Sequence, residues 1–148
     1  TGIAFHPLTG EIWAVHQRPG IVDVLFKIDP ATGTFIAGSF PGNQDYLRLR
    51  TLGSATDFTG LTLDPTDWQL YGAITDGAGT DHLVQVNRHN GNIADTGATT
   101  SELTDLSFDA TGQLWAIDAG MLYAVDKTSA ALDAGTDIFP LALSATRG

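Results

Sequence analysis

The sequence predicts an all-β protein of β-propeller-like architecture: an array of four-stranded antiparallel blades, three of them whole, followed by the first strand of a fourth. Three observations predict it. A pattern of apolar and turn residues returns three times at a spacing of ~40–50 residues, the period of propellers and related arrays. The acids are fifteen Asp against two Glu, and Asp belongs in turns, where its short carboxylate bonds nearby amides, while Glu favours helix interiors. No window carries sustained i, i+3, i+4 apolar spacing behind a cap, so helices are not expected. A right-handed repeat solenoid is the competing array.

The first strand of each unit reads "GIAF" from Gly2, "GLTL" from Gly60 and "DLSF" from Asp105. In the second strand Trp13, Tyr71 and Trp115 correspond; in the third, Ile28, Val86 and Val125 correspond. The fourth strand of the first unit is expected at residues 35–37. Several strands are apolar on both faces, as small sheets are when neighbours cover both sides. The aligned aromatic residues are therefore expected in the packing between blades.

The links between strands carry hairpin chemistry. In "HPLTG" and "DPATG" Pro presets φ and Gly takes the left-handed position. The leading Asp closes the turn through its carboxylate. The same skeleton recurs in "NRHNGNIADTG" and "DKTSAALDAG". Ala130 stands where the other two copies have Gly33 and Gly91, so a strained or reshaped turn is expected there.

These patterns divide the chain into units at residues 2–55, 56–101 and 102–135, with 136–148 opening a fourth. The last boundary rests on "TDIFPLALS" from Thr136, which aligns without a gap to "TDFTGLTLD" from Thr56. Thr1 in place of Met leads us to expect a processed or excised chain, completed by the rest of a longer propeller or by other copies of itself. The first unit is the longest. Its excess lies in residues 39–55, where "YLRLRTL" alternates apolar and polar residues and reads as an extra edge strand with Arg48 and Arg50 facing water.

The phrase G-h-x-F-x-P-x-T-G-x-h-W-A over residues 2–14, followed by h-h-x-I-D-P-x-T-G over residues 25–33, resembles the repeats of secreted bacterial β-propellers of the quinoprotein-like and YVTN/NHL-like group. The resemblance covers essentially the whole chain and implies an extracellular, periplasmic or cell-surface location. That group includes lactonases, esterase-like enzymes, quinone-cofactor dehydrogenases and surface-layer proteins. The motif selects architecture and implies no catalytic residue.

The 148 residues, 43% hydrophobic and 16% charged, suffice for one domain with a real core. A net charge of −10 argues against nucleic acid and anionic lipid as partners. No apolar run approaches the ~20 residues of a membrane-spanning helix. With no cysteine, disulfides and thiolate metal sites are excluded.

Function is expected at the end of the array where the connections are long and variable, at residues 17–22, 39–57, 75–80, 98–104 and 119–120. His16, Ile74 and Asp118 share one aligned position there; His16 and Asp118 are candidates to line a ligand pocket, against the plainer reading of a solvated rim. Asp76 and Asp81 in "DGAGTD" are candidate ligand carboxylates, although the match to a calcium loop is poor and an acidic turn is the plainer reading. Trp68 replaces the turn glycine aligned with Gly10 and is expected at an exposed tip, where it could grip a carbohydrate, a small molecule or a neighbouring subunit. The four His show no zinc spacing, and no G-x-S-x-G elbow is present. The leading expectation is a non-catalytic module for binding or self-assembly, without a cofactor. The alternative is part of a lactonase- or esterase-like hydrolase holding an axial calcium between carboxylates of several blades.

Overall fold

The computed structural model describes residues 2–18, 21–50, 57–118 and 120–137. Among them there is no helix, and twelve strands form three four-stranded antiparallel sheets. The first contains β1 (Gly2–Phe5), β2 (Ile12–His16), β3 (Val24–Ile28) and β4 (Leu47–Arg48), in that order. The second contains β5 (Asp57–Leu63), β6 (Leu70–Thr75), β7 (Asp81–Val86) and β8 (Ile93–Ala98). The third contains β9 (Asp105–Phe108), β10 (Leu114–Asp118), β11 (Met121–Val125) and β12 (Thr136–Asp137). Each sheet has the strand order of a propeller blade.

The sheets stack face to face, with β1 beside β5 and β5 beside β9. The first strands come together almost backbone to backbone. A Cβ on Gly2 would lie 2.4 Å from the Leu61 amide nitrogen, and one on Gly60 would lie 3.2 Å from the Asp105 carboxylate. This explains the glycine that opens the first two units, since any side chain there would push the blades apart.

Register decides which residues meet between sheets. Trp13, Val15, Leu25 and Leu47 of the first sheet join Leu61, Leu63, Leu70, Val84 and Val86 of the second in one buried cluster. Tyr71, Ala73 and Leu83, on the opposite face of the second sheet, join Leu106, Leu114, Ala116 and Val125 of the third. The middle sheet is thus apolar on both faces, and β6 is buried from Leu70 to Ile74. Each large side chain removed from water contributes about 1.5–3 kcal/mol. Trp13 and Tyr71 are buried in the junctions between sheets, as their alignment implied, while Trp115 is half-buried.

The hairpin turns repeat one hydrogen-bond pattern. The carbonyl of the leading residue accepts the amide four residues on: Gly10 to His6, Gly33 to Asp29, Trp68 to Asp64, Gly91 to Asn87 and Ala130 to Asp126. The carboxylates of Asp29, Asp64 and Asp126 also accept the amide two residues on, at 2.8 Å in each case. Each also accepts a Thr hydroxyl, as Asp109 does from Thr111; Asp109 adds the Trp115 indole, and these with the Thr111 and Gln113 amides hold its carboxyl down at about 2. Ala130 adopts the left-handed φ of 61° that its glycine counterparts use. The expected strain is therefore real, about 1–2 kcal/mol for a residue with a Cβ.

Two boundaries differ from the sequence reading. In the first unit only Phe35 bridges β3, opposite Ile28. The chain then leaves the sheet, and Leu47–Arg48 returns as its fourth strand, paired with Val24 and Leu25. The stretch read as an extra edge strand is thus the far half of the fourth strand, and the excess residues form an excursion within it. At the other end, Thr136 and Asp137, the expected opening of a fourth unit, lie beside the third strand of the last sheet. They pair with Leu122 and Met121 and complete the third sheet. The remainder of the expected fourth unit, residues 138–148, lies outside the described residues.

Two buried aspartates join consecutive sheets. Asp23 accepts the Arg18 amide at 2.8 Å and the amide of Phe58, at the start of the second sheet, at 3.2 Å. Asp81 accepts the Thr75 hydroxyl at 2.6 Å and the amide of Leu103, on the approach to the third sheet, at 2.5 Å. Both sit at the start of a third strand, and Gly120 holds the corresponding place in the last unit. Replacing Asp81 by Ala leaves a buried amide without an acceptor and should cost about 1–3 kcal/mol. Asp118→Ala, on a carboxylate that holds nothing comparable among the described residues, should stay within about 0.5 kcal/mol of the parent. Urea unfolding of the two variants distinguishes them; equal losses would contradict a joining role for Asp81.

Candidate functional site

The turns within hairpins lie at one end of the stacked sheets, and the longer connections lie at the other. Of the residues singled out from sequence, His16, Asp76, Asp81 and Asp118 lie at the connection end, and Trp68 does not.

His16 ends β2, opposite Val24, and is exposed. Asp118 ends β10, opposite Met121, and is half-buried. Asp76 follows β6. Its carboxylate accepts the amides of Thr80 and Ala78 at 2.8 Å each, which outweigh a small cost of desolvation and hold it below the usual carboxylate range. Across from it His82 reaches Asp76 through Nε2 at 3.4 Å and Asp95 through Nδ1 at 3.1 Å. Asp81 is only 6% exposed, and both carboxylate oxygens are already committed between strands.

These four residues do not converge. Among the described residues no group of three or more His, Asp or Glu is placed to hold a metal ion. Asp76 commits Oδ1 to its own turn and faces His82 with Oδ2, and Asp81 commits both oxygens to its neighbours, so the pair supplies little of the six to eight oxygens that a calcium takes.

Trp68 sits in the turn between β5 and β6, at the hairpin end. It is half-buried rather than at an exposed tip. Its ring stacks on His6 with centroids 4.5 Å apart and planes 19° apart. His6 occupies the equivalent turn of the first unit, so the stack spans the junction between the first two sheets. The sequence placed both residues in turns but did not show that adjacent blades bring those turns side by side.

The connection end does hold a cleft that draws on all three units. It measures about 450 Å³ and is lined by Gln17, Thr59, Thr75, Glu102 and Thr104, with Phe58, Asp81 and Leu103 beneath. Glu102 is exposed and its carboxylate makes no hydrogen bond or ion pair among the described residues. Sequence reasoning flagged the loop that carries it and passed over the residue. The available signal was its rarity: one of two Glu in a chain with fifteen Asp. A larger groove of about 690 Å³ follows the first strands β1, β5 and β9 and opens onto the outer face of the first sheet.

No protein-family model and no curated protein matches the chain. Among solved structures, a gluconolactonase from Xanthomonas campestris has a similar fold, with a TM-score of 0.52 at 13% identity. The match covers 83% of this chain and 42% of that one, so the chain spans about two fifths of that structure's length. The likeness assigns the sheets to a propeller-type fold, and at this identity it speaks for the fold alone.

The φ of 60° at Trp68 gives a test of its role. Trp68→Ala loses the stack and keeps the strained backbone, and should destabilise by about 1–2 kcal/mol. Trp68→Gly loses the same stack but relaxes the turn, and should be about 1 kcal/mol more stable than the Ala variant. Thermal unfolding ranks them. An Ala variant as stable as the parent would mean that the ring packs on nothing.

Proposed function

We propose that the chain forms three blades of a propeller hydrolase of lactonase or esterase type, acting on a small polar lactone or ester at the connection end. The observation that carries this reading is the cleft to which all three units contribute, on a fold like that of a gluconolactonase. Glu102 is the group able to act there as general base. Its carboxylate takes a proton from water as the water oxygen adds to the substrate carbonyl. Gln17, from the first unit, carries an amide that can donate to the oxygen on which charge then builds.

A second reading is a non-catalytic extracellular module for binding or self-assembly. It is favoured by the outer face of the first sheet, where Ile3 is 62% and Phe5 56% exposed. In the second sheet the residues aligned with these, Leu61 and Leu63, are buried against the first. A face of that composition suits another blade, whichever chain supplies it.

Hydrolysis of a panel of aldonolactones and p-nitrophenyl acetate distinguishes the two. The first reading expects turnover by the folded chain, lowered about 10²-fold or more in Glu102→Gln, with the unfolding midpoint unchanged. A folded chain that hydrolyses nothing in the panel, or a Glu102→Gln variant as active as the parent, would leave the binding module as the better reading.

A further inference from the structure

The excursion within the first unit builds a second cleft, away from the connection end and independent of the hydrolase reading. It is a formed structure. Phe40 is buried at 5% exposure and meets Trp13 edge-on, with ring centroids 5.8 Å apart. The Phe40 amide donates to the Gln44 carbonyl at 3.1 Å, and the Gly38 amide donates to the Asp45 carboxylate at 2.9 Å. After β4 the chain runs against a turn of the second sheet, the Arg50 amide donating to the Gly91 carbonyl at 3.0 Å. The approach is so close that a Cβ on Gly91 would lie 2.3 Å from the Arg48 carbonyl oxygen. The excursion and the Asn90 turn of the second sheet thus border an open cleft of about 510 Å³.

The lining is unlike the rest of this acidic surface. Leu47 and Leu49 turn into the core, so the intervening Arg48 and Arg50 lie together on the exposed side. Lys27 pairs with Glu11, and Lys127 with Asp64. None of the four described arginines, Arg18, Arg48, Arg50 and Arg88, has a side-chain partner among the described residues, and Arg48 and Arg50 are the two that share a cleft. A protein of net charge −10 has acids to spare for them, yet among the described residues two guanidinium groups stand unpaired in one cleft. Asp45 supplies the one carboxylate in the lining, and its Oδ1 is tied to Gly38. Around the arginines stand Tyr46, 40% exposed, and the amide side chains of Asn43, Gln44 and Asn90.

We infer that this cleft binds an acidic saccharide, a sugar chain bearing uronate carboxylates. Each guanidinium fork matches a carboxylate in two parallel hydrogen bonds. The amides both donate and accept, which suits sugar hydroxyls, and the Tyr46 ring offers an apolar face to a pyranose. A neutral sugar would leave two charged groups without a purpose, and a simple anion would leave the amide wall without one.

Calorimetric titration of the chain with trigalacturonate, maltotriose and acetate tests the inference. Trigalacturonate should bind, with an affinity that falls as salt is added, while maltotriose and acetate bind at least about tenfold more weakly. The double variant Arg48→Ala/Arg50→Ala should lose at least about tenfold in affinity. Arg48→Lys/Arg50→Lys keeps the charges without the forks and should fall between the two. Both changes lie on exposed side chains, so the unfolding midpoint should hold, and the Lys pair serves if the Ala pair fails to fold. Equal binding of trigalacturonate and maltotriose, acetate binding as tight as the trisaccharide, unchanged affinity in the Lys pair and the Ala pair, or no binding of trigalacturonate at millimolar concentration would each overturn it.

Discussion

The structure depends on burying both faces of the middle sheet. A β-sheet with one solvated face can place polar side chains at every second position. The first three strands of the middle sheet have no such outlet, because Leu61, Leu70, Val84 and Val86 pack toward the first sheet and Tyr71, Ala73 and Leu83 toward the third. Many of the sheet's polar groups are left to the strand ends and to the outer strand β8, where Asp95 and Thr96 stand. The ends then carry both the chemistry that closes the turns and the chemistry available for function. The same constraint explains why consecutive sheets are joined at their ends as well as through their faces. Asp23 and Asp81 take amides at the connection end, and the Lys127 ammonium reaches the buried Asp64 at the hairpin end. Burial alone would raise the Asp64 carboxyl; Lys127, with the Thr66 hydroxyl and amide, outweighs it and keeps the group below its usual range.

Much of this was legible in the sequence because the repeat preserves physical roles. The aligned aromatic residues Trp13 and Tyr71 both end in junctions between sheets. The leading Asp and the left-handed fifth residue recur in turn after turn, even where Ala130 or Trp68 must adopt a glycine conformation. The fourth strand of the first unit was not legible. Ile36 and Ala37 look like a strand by composition, but pairing stops after Phe35 and resumes only at Leu47. Alternation reports which face a residue takes and says nothing of how far the chain travels before it returns. At the far end, Thr136 resembles Thr56, yet a segment that links two sheets can close one before it opens the next.

The site was less legible than the fold. A carboxylate looks the same in sequence whether it waits for a ligand or is already saturated by amides. Asp81 and Asp76 are of the second kind, and only the placement of Leu103, Ala78 and Thr80 reveals it. Glu102 is the converse: unremarked in sequence, and in a cleft with no partner for its carboxylate among the described residues. Arg48 and Arg50 were read correctly as facing water, but the meaning of that exposure came from the Asn90 turn, which belongs to another unit. In repeat architectures a site forms between copies, so its members lie far apart in sequence, and one-dimensional spacing cannot collect them.

Native-state hydrogen exchange tests the central claim most directly. If burial on both faces organises the molecule, the amides of β6 and β7 should exchange most slowly, and those of β1 should open at lower free energy. β1 pairs on one edge and turns one of its faces to solvent. Protection in β1 equal to or greater than that in β6, or exchange in β6 as fast as in the turns, would contradict the account.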